Sequence, residues 1–476
     1  MHSDNDSIDL ASLESFPASD VPPWTLGVEA ECRIEHDSMG EVRVPASALY
    51  GAQTQRAIDN FPIGIHRFQP EFIRAIALIK ACAARANGEL GVLPKDIAAA
   101  ITEAADRIAV GAWLDQFVVN VFQTGSGTST NMNANEVIAR LSRTHPNDHV
   151  NRSQSSNDVI PSAIHIAAAQ EIHEELIPAL EFLHTALDAK VNEFRDVHKI
   201  GRTHLQDAVP MTLGQEFSGY AHQIHAGIER IQSATAGLFE LPLGGTAIGT
   251  GVNAPAGFAT RIIELIASRT GLPFREARNH FEAQSAKDAV LFLSGALRTC
   301  AVALTKIADD IRWLASGPRA GLSEIRLPEL QPGSSIMPGK VNPVIAQSVL
   351  MACTQVIGHD TAISWACARG NFELNTMMPL IAFDLLDSIE LLTAVSRNFA
   401  TRCISQLSAD GERTGKLIEQ SLAMATFLTP EIGYERAAAI AKEAFETGRT
   451  VRQVAAQVSG LNPEKLDILL QSTNHP

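Results

Sequence analysis

Residues 157–196 read NDVIPSAIHIAAAQEIHEELIPALEFLHTALDAKVNEFRD. Within them Ile160, Ile164, Ala168, Ile172, Leu176, Leu180, Leu183, Leu187, Val191 and Phe194 recur at intervals of three or four. A helix completes a turn in 3.6 residues, so this spacing draws one apolar stripe along one side of it. At 1.5 Å per residue the helix is expected to run roughly 50 to 60 Å, with a kink at Pro178. A strand would alternate with period two; this stretch does not.

The same period returns on the C-terminal side. It marks 212–240 (Leu213, Phe217, Ile224, Ile228, Ile231, Leu238), about 282–316 with a stop at Gly317-Pro318, a helix opening at Asn342, and about 376–402. Small residues such as Ala296, Ala301, Ala303 and Ala308 flank the stripes and permit close helix packing. The expected fold is therefore all-α, built on a long five-helix bundle. The short segments left over cannot cover that much apolar surface, so helix-on-helix oligomerisation is the natural outcome. A small hairpin or an irregular lead-in is expected within 34–50 and shorter helices at about 70–90 and 95–112. The chain divides into an extension at 1–27 read as disordered, a mainly helical N-terminal domain at 28–153, the central bundle at 154–408, and a small helical domain at 409–476.

Composition narrows the function. The chain has 476 residues, is 5% aromatic, and carries a net charge of −15. Such a balance disfavours nucleic acid or an anionic membrane as partner. The six cysteines are scattered and read as reduced core thiols of a cytoplasmic protein, neither a disulfide framework nor a metal site. Residues 1–27 have no apolar core and no arginine, so they fit neither a secretory signal nor a transit peptide. No run reaches the roughly 18 consecutive apolar residues of a membrane span.

Four polar clusters interrupt the apolar pattern at helix ends. The most unusual is Gly333-Ser334-Ser335-Ile336-Met337-Pro338-Gly339-Lys340-Val341-Asn342-Pro343. Asn342 is expected to cap the next helix and Pro343 to occupy its first position. A glycine-rich loop feeding a helix N-terminus receives anions through backbone N–H groups and the helix dipole. The second cluster, Phe122-Gln123-Thr124-Gly125-Ser126-Gly127-Thr128-Ser129-Thr130-Asn131-Met132-Asn133, has no lysine after its glycines, so it is not a nucleotide cradle. Gln154-Ser155-Ser156-Asn157-Asp158 and Gly201-Arg202-Thr203-His204-Leu205-Gln206-Asp207 complete the set. Hydroxyls and amides abound while proton-transfer groups are few. That inventory suits a small, anionic, hydrogen-bonding substrate. The bland readings are a helix-capping loop at 122–133, capping by Ser155 or Ser334, and an interior His204 bonded to backbone.

In order and spacing these clusters resemble the landmarks of the fumarase/aspartase superfamily over roughly residues 30–470. The runs Ile311-Arg312-Trp313-Leu314-Ala315-Ser316-Gly317-Pro318-Arg319 and Gly370-Asn371-Phe372-Glu373-Leu374-Asn375 are more similar to class II fumarases than to aspartases. The resemblance implies a three-domain fold whose bundles pool into a core of about 20 helices in a homotetramer. Each active site would draw on three subunits, with no cofactor and no metal. The implied reaction is the reversible hydration of fumarate to L-malate in the citric acid cycle. Ser334 would be the base on a mobile loop and His204 the general acid, acting through water. Ser335, Lys340, Val341 and Asn342 would grip the reacting carboxylate, and Ser126, Gly127, Thr128, Ser155, Ser156, Asn157 and Thr203 would hold the rest of the substrate.

Two further readings follow from the resemblance. His145-Pro146-Asn147-Asp148 is similar to a second anion site, with a plain turn as the alternative. Pro146 breaks helical geometry, so His145 and His149 are not taken as a metal pair. At Gln347 the family usually has a glutamate that pairs with the catalytic histidine. Glutamine can orient an imidazole but cannot stabilise imidazolium by charge, so slower turnover is expected. The alternatives to a fumarase are an aspartate ammonia-lyase and a weakly active or non-catalytic dicarboxylate-binding paralogue.

Overall fold

The computed structural model describes residues 31–471; the extension expected at 1–27 lies outside them. Among the described residues the strands pair only two at a time, and helices dominate. The chain opens with the hairpin β1 (Cys32–Asp37) and β2 (Gly40–Pro45), antiparallel with Asp37 opposite Gly40. Gly40 takes φ +114°, a value open to glycine at this tight reversal. Helices α1 (Ala52–Asn60), α2 (Pro70–Glu89), α3 (Lys95–Ala109) and α4 (Thr128–Ser142) follow.

The bundle begins with α5 (Ser156–Glu171) and α6 (Ile177–Glu193), joined without interruption by a π-turn at Ile172–Leu176. Pro178 has no N–H to give to the preceding turn, and the wider turn lies just ahead of it. Of the ten stripe residues, nine are buried and Val191 is half-buried. Each fully buried leucine or isoleucine contributes about 1.5–3 kcal/mol of transfer free energy. The hairpin β3 (His198–Thr203) and β4 (Gln206–Thr212) leads into α7 (Leu213–Thr235), which Thr212 and Gln215 start as a reciprocal capping box. Then come α8 (Phe258–Thr270), α9 (His280–Ser285), α10 (Asp288–Leu314), α11 (Val344–Cys367) and α12 (Met378–Arg402). Helix α6 packs on α7, α7 on α10, α10 on α11, α11 on α12, and α12 back on α5 and α6, which closes the bundle.

Two expectations about helix starts need correction. The helix expected over about 282–316 is broken at Ala286 and Lys287, with α9 before the break and α10 after it. Lys287 Nζ donates to the carbonyls of Ala283, Gln284 and Ala286 at 2.8, 3.0 and 2.7 Å, so a buried lysine closes a helix end that neither glycine nor proline marks. The next helix starts at Val344 behind Pro343, and Asn342 does not cap it. The Asn342 amide turns back on its own loop instead, as described below.

Helix α10 is long and apolar enough to cross a membrane by composition, but half of its most apolar window is buried in the bundle. Phe292, Val302, Trp313, Met351 and Trp365 of α10 and α11 stay exposed on the chain. Two ionic links tie α11 to its neighbours. Asp360 accepts from Ser294 and Arg298 of α10 at 2.7 Å each, and His359 lies between Asp384 (2.9 Å) and Asp387 (2.7 Å) of α12. Burial pushes the His359 pKa down, but the two carboxylates outweigh it and raise it to about 9. A raised histidine adds stability that is complete below its unfolded value near 6.5 and lost as pH rises through about 9. The Tm difference between wild type and His359→Gln should therefore be largest below about pH 6.5 and shrink toward pH 9 and above. A pH-independent difference would contradict a buried imidazolium.

The remaining helices, α13 (Gly411–Gln420), α14 (Thr429–Ile432), α15 (Tyr434–Thr447), α16 (Val451–Val458) and α17 (Pro463–Leu470), enclose a second apolar cluster around Leu428, Ile440 and Val454. Ile200 of β3 belongs to that cluster, so the β3–β4 hairpin is seated on the C-terminal helices.

Candidate active site

The loop at 333–343 is pinched at its neck. Gly333 N–H donates to the Lys340 carbonyl at 2.8 Å, and Asn342 Nδ2 donates to the Gly333 carbonyl at 2.6 Å. A Cβ on Gly333 would lie 2.6 Å from that Lys340 oxygen, so the neck requires glycine. Inside the loop the Ser334 hydroxyl oxygen accepts N–H from Ile336 at 3.3 Å and from Met337 at 3.0 Å. Donors two and three residues ahead are the geometry of the serine cap, the alternative role of Ser334, and the same two N–H groups would favour an alkoxide there. Ser335, Lys340 and Val341 are exposed, as is Ile336 at 83%.

The second and third clusters meet. Gly127, at φ +75°, begins α4, and Ser126 and Thr128 share a hydroxyl–hydroxyl hydrogen bond of 2.9 Å. Ile160 of α5 packs so closely on Gly127 that an added Cβ would be 2.8 Å from it. Ser155 caps α5, the alternative role read for it: its oxygen accepts the Asn157 N–H at 3.2 Å, and its own N–H donates to Asp158 at 2.9 Å. The Ser156 hydroxyl accepts from Asn131 Nδ2 at 3.0 Å. Two helix N-termini with their hydroxyls thus converge on one place, where partial positive charge favours an anion. Asn157 Nδ2 bonds the Ala247 carbonyl at 2.8 Å and brings the 243–253 loop alongside.

Beneath these hydroxyls lies a buried polar layer. Asp158 Oδ2 accepts N–H from Gly244 and Thr246 at 3.0 Å each. Lys80 of α2, 0% exposed, donates to Asn151 Oδ1 and Gln154 Oε1 at 3.0 Å each. Burial drives the Lys80 pKa down to about 7, while the Asp158 carboxylate pulls it back up.

Thr203 and His204 sit at the tip of the β3–β4 hairpin. Thr203 pairs with Gln206, leaving His204 and Leu205 as a two-residue turn with φ +55° and +59°. Asn-Gly is the sequence such a turn prefers, so this non-glycine pair is strained, and strain of this kind gathers at functional sites. Both residues are exposed. The hairpin is anchored by a buried ionic network. Glu324 receives Lys199 at 3.1 Å and Arg202 at 2.7 Å, and Lys199 also meets Glu216 at 2.9 Å.

Among the described residues, no hydrogen bond joins the 333–343 loop or the His204 turn to the two converged helix ends, or to each other. Pro146, Asn147 and Asp148 lie in a π-turn, Pro146–Val150, which His145 caps. His145 Nδ1 accepts the Asp148 N–H, and His149 Nδ1 accepts the His145 N–H, each at 3.0 Å, so the imidazoles hold the turn itself.

Comparison with known proteins follows the same lines. A family model described as "Lyase" matches residues 40–358, and one described as "Fumarase C C-terminus" matches 424–474. The class II fumarate hydratase of Mycobacterium tuberculosis H37Rv is 55% identical over 445 residues, covering 92% of this chain and 94% of its own. The chain belongs to the class II fumarate hydratase family. The family member from Corynebacterium glutamicum is 50% identical over 444 residues, covering 92% of this chain and 94% of its own. The crystal structure of a class II fumarase from Schistosoma mansoni superposes with a TM-score of 0.90 at 39% identity, covering 93% of this chain and 98% of that one. A fumarate lyase/delta crystallin structure from Brucella melitensis gives 0.90 at 45%, with coverages of 94% and 100%.

Sequence reasoning missed the supporting layer of this family member's site: Lys80, Asn151, Glu324 and the 243–253 loop. Lys80 could have been found. It lies four residues past Ile76 and seven before Asn87, a polar interruption of the buried face of α2.

Proposed function

We propose that this chain catalyses the reversible anti addition of water to fumarate, giving L-malate, in the cytoplasm. The observation that carries the reading is the Ser334 hydroxyl held by two backbone N–H groups. Abstracting the proton next to a carboxylate requires a strong base. N–H groups donating to the Ser334 oxygen favour its alkoxide over its hydroxyl. Lys340 and Asn342 follow on the same loop and would grip the carboxylate on which negative charge develops. Ser126, Thr128, Ser155, Ser156, Asn157 and Thr203 supply neutral donors for the rest of the dianion, and His204 protonates the departing hydroxide through water.

Among the described residues no hydrogen bond joins loop, hairpin and converged helix ends within one chain, and the bundle leaves large apolar side chains such as Phe292 and Trp365 bare. Both facts support a homotetramer with active sites shared between subunits. Light scattering should give about four times the 51.1 kDa chain mass; an active monomer would refute shared sites. The activity is tested by ultraviolet absorbance of fumarate. Purified protein should produce it from L-malate, and production from L-aspartate alone would overturn the reading.

Gln347 lies exposed on the first turn of α11, eight residues after Gly339 of the loop. Gln347→Glu should raise turnover several-fold and shift the acidic limb of the pH–rate profile. Unchanged turnover and profile would show that the missing charge does not limit this enzyme.

A further inference from the structure

We propose that Lys80 is a positioning residue for substrate: through Asn151 and Asn131 it sets the Ser156 hydroxyl so that its proton faces the bound carboxylate. The inference rests on Ser156 as a substrate donor. The argument is one of hydrogen-bond polarity. In its ammonium form, which dominates below about pH 7, Lys80 only donates, so the Asn151 atom facing it at 3.0 Å is the carbonyl oxygen. The other end of that amide agrees, since Asn151 Nδ2 donates to the Gln154 carbonyl at 3.3 Å. An oxygen there forces its next neighbour to present N–H. Asn131 Nδ2 does so at 3.2 Å, and Asn135 Nδ2 does so at 3.2 Å from another turn of α4.

With its NH₂ group fixed on that side, Asn131 also donates to Ser156 Oγ at 3.0 Å. A hydroxyl has one proton and two lone pairs. One lone pair of Ser156 is occupied from below, so its proton is left to point away, toward the converged helix ends. Were the Asn131 amide reversed, its oxygen would take the Ser156 proton, and the substrate would meet a lone pair. Lys80, Asn131 and Asn135 are each 1% exposed or less and Ser156 is 8% exposed, while Asn151 between them is half-buried. Largely buried polar chains of this kind act as a unit.

The test is a double-mutant cycle on the full-length protein with L-malate as substrate. Lys80→Met keeps the length and removes the donor; Ser156→Ala removes the hydroxyl it is meant to orient. Lys80→Met should raise KM about tenfold, the worth of one well-placed hydrogen bond, while kcat changes less than about threefold. In the Ser156→Ala background the same substitution should change KM by less than about twofold, because the two act through one hydroxyl. A merely structural lysine would instead lower Tm and leave KM unmoved, or raise KM by the same factor in both backgrounds; either result overturns the proposal. Should Lys80→Met fail to fold, Lys80→Gln, which keeps an N–H donor in the cavity, should hold KM within about threefold of wild type, and a tenfold rise would overturn the proposal. A wild type that makes no fumarate from malate defeats the assignment of the reaction, whereas an active wild type with uncoupled variants defeats only the role of Lys80.

Discussion

Replacing Ser334 by alanine should lower kcat for malate dehydration about 10³-fold while leaving Tm within about a degree of wild type. The expectation of a large kinetic effect comes from the two N–H groups of Ile336 and Met337 aimed at one oxygen. Alanine leaves them without the anion they are arranged to stabilise. Stability should barely change because the serine is only half-buried and the loop neck is closed by Gly333, Lys340 and Asn342 without it. Stopped-flow turnover and a thermal melt on the same preparation separate the two effects. Retention of full activity would remove Ser334 from the mechanism.

Glu324→Ala should destabilise the fold by about 3–5 kcal/mol, the usual result of removing one member of a buried ionic network. Glu324 is fully buried. Its carboxylate binds Lys199 and Arg202, its N–H donates to the Leu314 carbonyl at 2.8 Å, and its carbonyl accepts the Asp410 N–H at 2.8 Å. Alanine leaves Lys199, itself 1% exposed, with Glu216 alone, and leaves Arg202 without its partner. Because both lysine and arginine belong to the hairpin that presents His204, turnover should fall along with stability. Urea denaturation gives the first quantity and malate dehydration the second. A wild-type midpoint would mean that the network contributes nothing net.

What the residues alone determined here is what depends on neighbours in sequence. The 157–196 stripe fixed a long buried helix because each turn repeats every 3.6 residues whatever else the chain does. Ser155 and Thr212 started α5 and α7 because a cap needs only the next three residues. The four polar clusters were legible for the same reason: each is one uninterrupted run of unusual composition.

Only the tertiary structure decided matters that depend on a partner brought in from elsewhere. Asn342, a good cap by its own chemistry, instead closes the loop onto Gly333, nine residues earlier. Lys80 meets Asn151, 71 residues away, and Arg202 meets Glu324, 122 residues away. Hydrogen-bond polarity and charge pairing act across space within a few ångströms. Periodicity and composition carry no record of which distant group will arrive there.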